Sequence, residues 1–488
     1  MRRTTIPVEN LFAWGKLNGV EFINVDVKSD ITSQDGVFRG AGLVSTCDRS
    51  SKDSAAVLVS VPQDLILSRE QVDRYAAIDK PLKSVLDAAG AFGKTARGAI
   101  LIFLLVQITN ASPDFDGPIS VTNPHTDYVK LLPETVLLPT YYTDEEKDLL
   151  YGTSLDAALD QKLRSLENEF EELQGYTRDI AWCQKYWWDR DSGKMSFDDW
   201  MLVDALYRSR ALNLPGTGNA MVPCIDMANH MSGIETIASY ETGADGGAIL
   251  QIRPGTELAA DEEVTITYGD EKGACEMIFS YGFLEPGMSG ATAIFLDFQI
   301  PDDDPLRMAK KTVNKEAPGV RLFVNSNGKL DWEGNYIWWA CVNEEDGLDF
   351  RVTQENDGNR RLEVLWKDQH IDPSQLSKTL ESDLKWDIFQ LRAIVMLQDR
   401  VSRQANNLEA SEESFMESQG QSGIRDGVRI LIGQLRVREA GLLAQFDRLF
   451  EEQKTDLLSS DTVRRYLEEA QANVDSHLPP ETNEDDFA

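Results

Sequence analysis

The pattern of apolar and polar positions divides the first 290 residues into β-type and α-type stretches. Short apolar runs between glycine turns occupy residues 1–67 and return over residues 211–290, which is typical of short strands. Between them, over residues 68–210, apolar residues recur every three or four positions and predict helices. The clearest helical stripe is Leu155, Leu159, Leu163, Leu166, Phe170 and Leu173. The pattern therefore predicts a β-rich region that a helical insertion interrupts.

Residues 291–478 are predicted to form a second, mostly α-helical region. Two runs, 348–352 and 362–366, flank turn residues 356–359 and predict a small hairpin. Two further stripes predict long helices: Leu384, Ile388, Leu391 and Val395, then Val428, Leu431, Leu435, Leu442, Phe446 and Leu449. The acidic segment 479–488 is predicted to be disordered. The expected fold class is α+β.

Length and charge limit the classes of partner. A chain of 488 residues exceeds the roughly 250–300 residues at which a single core stops growing, so two structural regions are expected. The formal net charge of −34 argues against direct binding to nucleic-acid phosphates, which depends mainly on Lys and Arg. A basic protein partner is the prediction. An acidic surface that only keeps the chain soluble is an equal alternative, because charge alone does not choose between them.

Cysteine spacing and apolar runs exclude other classes. No C-x-x-C pair occurs among Cys47, Cys183, Cys224, Cys275 and Cys341, so neither a zinc cluster nor a disulfide framework is indicated. The longest apolar run, residues 99–106, is far shorter than the ~20 residues needed to span a bilayer. The start of the chain lacks the apolar stretch of a secretory signal. We expect a soluble monomer of the cytoplasm, and also of the nucleus, with no membrane partner.

Two segments concentrate chemically useful side chains in apolar or glycine-rich sequence. The first spans residues 209–230 and the second residues 264–283. A Gly-x-Gly pair in residues 40–42 precedes both. The ordered motifs are Gly40-Ala41-Gly42, Ser209-Arg210-Ala211, Asp226-x-x-Asn229-His230 and Tyr281-Gly282-Phe283. In this order and combination they resemble the SET-domain methyltransferases of the Rubisco large-subunit methyltransferase type.

The resemblance covers most of the chain and implies a domain organisation. Residues 1–67 and 211–290 would form a SET domain, 68–210 its helical insertion, and 291–478 a helical substrate-binding domain. It also implies S-adenosyl-L-methionine as the methyl donor, a protein lysine as the acceptor, and no metal ion. Since no cysteine-rich segment follows residue 283, a zinc-bearing post-SET module is not expected. A non-histone target such as a ribosomal protein or translation factor is therefore favoured.

The resemblance assigns the methyl-donor site to Arg39, Gly40, Ala41, Arg210, Asn229 and His230. The main chain of residues 39–41 would line the pocket, since glycine lets backbone approach a ligand closely. An arginine fork suits the donor's carboxylate because it presents paired donors in a plane. Each residue also has an ordinary interpretation. Gly40 and Gly42 are compatible with a simple turn between strands, Arg210 with a surface cation at a helix end, and His230 with a structural histidine.

On the acceptor side, the resemblance makes Tyr281 the catalytic residue and places Ser209, Asp226 and Tyr268 near the target lysine. Aromatic walls suit this chemistry because a lysine ammonium must lose its proton before it attacks, and burial disfavours its charged form. The alternatives are core aromatics for Tyr268 and Tyr281, and a turn cap for Asp226.

Two other functions stay open at this stage. The same fold is compatible with a protein-histidine methyltransferase, whose channel would fit an imidazole. A SET-like scaffold without turnover, acting only as a protein-binding module, is the second alternative. Retention of Arg210, Asn229, His230 and Tyr281 argues against the second.

Overall fold

A computed structural model describes residues 1–32, 38–50, 57–118, 123–189, 195–285, 287–288, 290–354 and 360–477. The described residues form two compact units. The first comprises residues 1–142, 158–272 and 276–286, and the second comprises residues 143–157, 273–275 and 287 onwards. The predicted hairpin turn at 356–359 and the predicted tail at 479–488 lie outside the described residues.

The first unit opens with a helix that the sequence pattern did not predict. This helix, α1 (Asn10–Leu17), is followed by strands β1 (Glu21–Phe22), β2 (Val25–Thr32), β3 (Phe38–Ser45), β4 (Arg49–Ser50) and β5 (Val57–Val61). Alternation explains the strands, since Val25, Val27 and Ile31 of β2 are buried while the polar residues between them are exposed.

The insertion is helical, as its periodicity predicts. Its helices are α2 (Arg69–Ile78), α3 (Lys80–Ala88), α4 (Gly90–Gly93), α5 (Ala96–Ala111), α6 (His125–Leu131), α7 (Asp144–Asp148), α8 (Ser154–Thr177), α9 (Ala181–Cys183) and α10 (Phe197–Arg210), with a π-helical turn at Gln184–Trp188. Side-chain caps start several of them: the Thr95 hydroxyl accepts the Gly98 N–H, and Asp79 accepts the Leu82 N–H. Helix α5 is buried over nearly its whole length and forms the centre of this helical part.

The β-rich segments before and after the insertion share both main sheets. The later elements are β6 (Leu212–Leu214), β7 (Gly218–Ala220), β8 (Asn229–His230), β9 (Ala238–Thr242), β10 (Ala248–Ile252), β11 (Glu257–Leu258), β12 (Glu263–Ile266) and α11 (Ala274–Tyr281). One sheet has the order β1-β5-β10-β9 and the other the order β2-β3-β12-β8. The α+β fold with an interrupted β-rich domain is therefore confirmed. Strand β12 ends at residue 266, so Tyr268 lies in the loop that follows it.

The second unit places two small antiparallel sheets before its long helices. Its remaining elements are β13 (Ala293–Asp297), α12 (Arg307–Val313), β14 (Gly319–Val324), β15 (Leu330–Glu333), α13 (Tyr336–Cys341), β16 (Leu348–Gln354), β17 (Arg360–Trp366), β18 (Gln369–Ile371), α14 (Leu376–Glu381), α15 (Trp386–Ala410), α16 (Glu412–Glu417), α17 (Asp426–Leu458) and α18 (Asp461–His477). The predicted hairpin is present, with Leu348 opposite Trp366. None of the helices in the described ranges is long and apolar enough to cross a membrane.

Of the first predicted stripe of this unit Ile388 alone is buried, whereas the second stripe is largely right. Leu384 is 94% exposed and precedes α15, and Val395 is also exposed. Helix α15 instead buries a face rotated from the predicted one, which contains Ile388, Phe389, Ala393, Ile394, Leu397 and Val401. Helix α17 buries four of its six predicted positions, together with the neighbouring Ile432 and Phe450.

Residues 143–157 lie within the insertion in sequence but pack in the second unit through buried carboxylates. The Glu146 carboxylate is fully buried and receives the Arg425 backbone N–H at 2.9 Å and the Arg425 Nε–H at 2.7 Å. On α17, Glu439 is fully buried and accepts the Ser154 N–H at 2.9 Å. Burial raises the pKa of Glu439 to about 7, although hydrogen bonds from Ser154 oppose the shift.

We expect Glu439→Gln to remove a pH-dependent loss of stability. Because the folded pKa lies above the ordinary carboxyl value, the stabilising effect of the neutral form is complete below about pH 4.5 and is lost as pH rises through 7. The amide keeps an acceptor for the Ser154 N–H. In denaturant unfolding, the free energy of unfolding of the variant should exceed that of the natural chain by on the order of 2–3 kcal/mol at pH 8 and by little at pH 5.

Glu452→Gln serves as the control, because Glu452 lies on the same helix and is exposed. A stability difference between Glu439→Gln and the natural chain that stays constant from pH 5 to pH 8 would contradict the assignment.

Candidate active site

Strand β12 brings together segments that lie far apart in the sequence. It pairs antiparallel with β3, where Glu263 lies opposite Val44, and parallel with β8, where Thr265 lies opposite Asn229 and Ile266 opposite His230. The Gly-x-Gly segment of β3 and the Asn-His pair of β8 therefore flank one central strand. These are the predicted donor-site segments before and after the insertion.

Glu263, at the start of β12, connects three of these segments. Its Oε1 accepts the Asn229 Nδ2–H at 2.7 Å, and its Oε2 accepts a hydrogen bond from Arg39 Nη1 at 3.2 Å. Asn229 Nδ2 also donates to the Ala41 carbonyl at 3.2 Å. Because both partners of this amide nitrogen are acceptors, the orientation of the Asn229 amide is determined. Its Oδ1 makes no hydrogen bond to any residue in the described ranges and is left for a ligand.

Sequence reasoning missed Glu263. Acidic side chains are common in this chain, and nothing in the spacing marks this one. The available signal was its position at the first residue of an apolar strand, where it shares a face with Thr265. Its role became visible only through the pairing with β3 and β8.

The interpretation of Gly40 and Gly42 as a simple turn between strands is wrong, since both residues lie within β3. Gly40 has φ +78°, a left-handed conformation that favours glycine, and no heavy atom of the described residues lies within 4 Å of where a Cβ would stand. At Gly42 a Cβ would come within 2.8 Å of Asn229 Nδ2 and 2.7 Å of Ile31 Cδ1. One glycine thus leaves open space beside the backbone, and the other allows the Asn229 amide to approach.

His230 is buried, and its ring is fixed by the neighbouring loop. Its Nδ1 accepts the Tyr268 backbone N–H at 3.0 Å, and its ring stacks on the Tyr268 ring with centroids 5.1 Å apart. Burial lowers the pKa of His230, although the nearby Glu285 opposes the shift. The imidazole is therefore neutral at neutral pH, with Nδ1 acting as an acceptor. This histidine links β8 to the loop that carries Tyr268.

Arg210, the last residue of α10, is an inward-facing cation and not the surface cation of the alternative interpretation. Only 17% of its side chain is exposed, and its Nη1 lies 3.3 Å from Asp226 Oδ2 and 3.2 Å from the Asp226 carbonyl. Its Nε and Nη2 make no hydrogen bond within the part of the chain that the structure describes. A planar carboxylate would bind this free edge through two hydrogen bonds.

The side chain of Asp226 faces Arg210 and the insertion. The Tyr128 hydroxyl donates to Asp226 Oδ2 at 2.5 Å. Burial raises the pKa of Asp226, while the charge of Arg210 opposes that shift. Asp226 is thus a buried carboxylate that partly neutralises the guanidinium. Whether it also contacts a substrate lysine stays a prediction.

Tyr268 and Tyr281 pack against each other as a tilted aromatic pair, with 37° between the ring planes, and form one aromatic wall. Their ring centroids lie 4.5 Å apart, and Phe283 extends the wall at 6.3 Å from Tyr281. The Tyr268 hydroxyl donates to the Ala228 carbonyl at 3.0 Å, whereas the Tyr281 hydroxyl lies 3.5 Å from the Tyr268 carbonyl. Burial raises the pKa of Tyr281 to about 12. The Tyr281 phenol is therefore protonated at neutral pH and only weakly held.

Arg208 fixes the helix that carries Tyr281. On α10, its Nη1 donates to the Phe279 carbonyl at 2.7 Å, and its guanidinium lies 4.6 Å from the Phe279 ring centroid. Because Phe279 stands two residues before Tyr281 on α11, this contact ties the end of α11 to the insertion. Sequence reasoning did not single out Arg208.

Ser209 is the predicted site residue whose hydroxyl is already used by its own helix. Its Oγ donates to the Ala205 carbonyl at 2.8 Å, a bond to the preceding turn of α10. Its expected place near a target lysine stays a prediction. No group of three or more His, Cys, Asp or Glu side chains suited to hold a metal ion occurs among the described residues.

Solved structures match this fold over nearly the whole chain. The SET domain of LSMT bound to MeLysine and AdoHcy matches with a TM-score of 0.64 and 20% identity over 98% of both chains. Rubisco LSMT bound to AdoMet matches with a TM-score of 0.63 and 20% identity, over 96% of this chain and 100% of the other. The chain has the SET-domain fold of Rubisco LSMT.

Sequence relatives point to the same group. The SET chain is 26% identical to SET domain-containing protein 8 of Schizosaccharomyces pombe over 345 residues, which cover 70% of this chain and 75% of the relative. It is 23% identical to the chloroplastic Rubisco large subunit N-methyltransferase of Pisum sativum, over 61% of this chain and 55% of that enzyme. It is 27% identical to the chloroplastic fructose-bisphosphate aldolase-lysine N-methyltransferase of Arabidopsis thaliana, over 36% and 37% of the two chains. No protein-family model matches the chain.

We expect Glu263→Gln to lower the free energy of unfolding of the SET domain by about 1–3 kcal/mol. The substitution removes the negative charge that faces Arg39, and it places a second side-chain amide against the amide of Asn229. Denaturant unfolding measures the change. Glu262→Gln is the matched control, since Glu262 is the preceding residue and accepts only the local Ala259 N–H among the described contacts. Equal stabilities for the two variants would show that the Glu263 contacts contribute nothing beyond a surface carboxylate.

Proposed function

We propose that this SET-domain chain is an S-adenosylmethionine-dependent methyltransferase that modifies a lysine of a basic protein. The observation that carries the proposal is the free edge of Arg210 next to the wall formed by Tyr268 and Tyr281. Arg210 and Tyr268 lie close enough for the charge of the guanidinium to act on the phenol. A carboxylate-binding edge beside a partly buried aromatic wall suits a methionine-derived donor and an amine acceptor.

The residues present fit the donor. Arg210 would hold its carboxylate through Nε and Nη2, and Asn229 would accept a hydrogen bond from its ammonium through Oδ1. The open space beside Gly40 leaves room for a ligand against the main chain of residues 39–41. When bound, S-adenosylmethionine supplies an electrophilic methyl group on a sulfonium sulfur. Relatives named as lysine N-methyltransferases and neighbours bound to AdoMet or AdoHcy support this assignment.

On the acceptor side, the chain's own residues prepare the amine. The apolar faces of Tyr268, Tyr281 and Phe283 exclude water and thereby favour the uncharged amine over the ammonium. The weakly held Tyr281 hydroxyl is available to accept an N–H of that amine, which directs the nitrogen lone pair toward the methyl group. Holding the two reactants in line contributes up to ~7–11 kcal/mol in well-oriented systems. In this proposal Tyr281 is the catalytic residue.

Charge supports the proposed class of substrate. The 82 acidic against 48 basic residues favour encounter with a basic protein, such as a ribosomal protein or a translation factor. A location in the cytoplasm, and also in the nucleus, and a monomeric state stay predictions.

Tyr281→Phe should lower the turnover rate roughly 10- to 100-fold and leave the KM for the donor nearly unchanged, because the lost hydroxyl orients the acceptor. The measurement is transfer of labelled methyl from S-adenosylmethionine to unmodified protein extract of the source organism, with the labelled residue identified by mass spectrometry. Tyr176→Phe, on helix α8, is the control and should retain full activity. Undiminished labelling by Tyr281→Phe would remove Tyr281 from the reaction.

The pH dependence of methyl transfer discriminates a lysine from a histidine acceptor. A lysine amine, with an ordinary pKa of about 10.4, should make the rate rise beyond pH 8, whereas an imidazole acceptor with a pKa of about 6.5 should give a plateau above about pH 7. Because the pKa of Tyr281 is raised to about 12, its ionisation should cause no fall below pH 10. Initial rates from pH 6 to pH 10 at an acceptor concentration far below its KM test this, because they follow the ionisation of the free acceptor and not of the bound one; a plateau from pH 7 would favour the histidine alternative.

A further inference from the structure

Tyr128 reaches the candidate active site from the helical insertion, although no motif includes it. It lies on α6, and only 1% of it is exposed. Its ring packs against Trp14, with centroids 5.5 Å apart, and against the edge of His125 at 6.0 Å. Trp14 Nε1 in turn donates to the Pro124 carbonyl at the start of α6. Packing from two elements therefore fixes where the phenol points.

The Tyr128 hydroxyl donates to Asp226, the carboxylate that faces Arg210 among the described residues. The bond to Asp226 Oδ2 is 2.5 Å long, and burial raises the pKa of Tyr128 well above its usual value, so the phenol is protonated and is the donor. The same oxygen, Oδ2, lies 3.3 Å from Arg210 Nη1. One carboxylate oxygen thus stands between a phenol and a guanidinium.

This arrangement decides how Arg210 presents its remaining donors. A buried carboxylate beside an arginine tends to form a two-point contact with both ends of the fork. Here Asp226 engages Nη1 alone, through its carbonyl and Oδ2, and Met227 Sδ lies 3.4 Å from the same nitrogen. The edge formed by Nε and Nη2 makes no hydrogen bond to the described residues. The backbone at Cys224 also contributes a hydrogen bond to the Asp226 carboxylate, but Oδ2 itself is bonded by the Tyr128 hydroxyl, and without that bond Oδ2 is freer to turn toward the edge.

We propose that Tyr128 is a positioning residue for methyl-donor binding: by bonding to Asp226, it keeps the carboxylate at Nη1 and leaves the Nε and Nη2 edge of Arg210 to the donor's carboxylate. The inference rests on the proposed function, because it takes the ligand of that edge to be the methionyl carboxylate. It makes the insertion part of the donor site, through a residue more than 80 positions away from Arg210 in the sequence.

Tyr128→Phe tests the inference, since it removes the hydroxyl and keeps the ring that packs against Trp14. Two probes are titrated by calorimetry: S-adenosylmethionine, which carries the carboxylate, and 5′-methylthioadenosine, which lacks it. We expect roughly tenfold weaker binding of S-adenosylmethionine, the loss typical of one charge-assisted hydrogen bond, and unchanged binding of 5′-methylthioadenosine. In the transfer assay the KM for the donor should rise while kcat at saturating donor changes little.

Tyr75→Phe is the matched control. Tyr75 is a buried tyrosine of the same insertion whose hydroxyl donates to the Asp64 carbonyl at 3.3 Å, and it should bind both probes like the natural chain. Weaker binding of both probes by Tyr128→Phe would indicate general distortion of the pocket and would overturn the inference. So would unchanged binding of S-adenosylmethionine. Failure of the natural chain to bind S-adenosylmethionine would instead overturn the proposed function itself.

Discussion

The candidate site depends on the position of β12 between β3 and β8. A strand with partners on both sides satisfies its backbone hydrogen bonds in the interior, which an isolated strand cannot do. The antiparallel pairing with β3 fixes the Gly-x-Gly segment, and the parallel pairing with β8 fixes the Asn-His pair. A one-residue slip in either ladder would turn Asn229 or Glu263 to the opposite face. The register of this one strand therefore decides which side chains meet.

Buried charges then set the details within that frame. Glu263 neutralises Arg39 and orients the Asn229 amide, and Asp226 partly neutralises Arg210. Each carboxylate, the partly buried Glu263 and the buried Asp226, is held by more than one donor, which offsets the loss of water around the charge. The two acids have opposite consequences for a ligand. Glu263 and the Ala41 carbonyl accept from Asn229 Nδ2 and leave the amide oxygen as a free acceptor, whereas Asp226 engages one nitrogen of Arg210 and leaves two donor nitrogens unbonded within the described residues.

The helical insertion takes part in both compact units and in the site. Helix α10 delivers Arg210 and also anchors α11 through Arg208, while α6 supplies Tyr128. Residues 143–157 of the same insertion pack in the second unit, where Glu146 and Glu439 are buried against Arg425 and Ser154. The insertion thus supports Tyr281 and Arg210 structurally. Its contacts explain how two β-rich parts that a long helical segment separates in the sequence contribute to one site.

The sequence by itself determined the order of the parts, the α+β class, and the motifs that contain most of the site, because periodicity and glycine placement are local properties of the chain. It also predicted the hairpin of β16 and β17 and most of the buried face of α17. It did not determine the buried face of α15, the end of β12, or the roles of Glu263, Arg208 and Tyr128. Only tertiary structure decided these, since each depends on which distant residue lies opposite, and a lone carboxylate, guanidinium or phenol acquires a function only from the charged or polar partner that burial places against it.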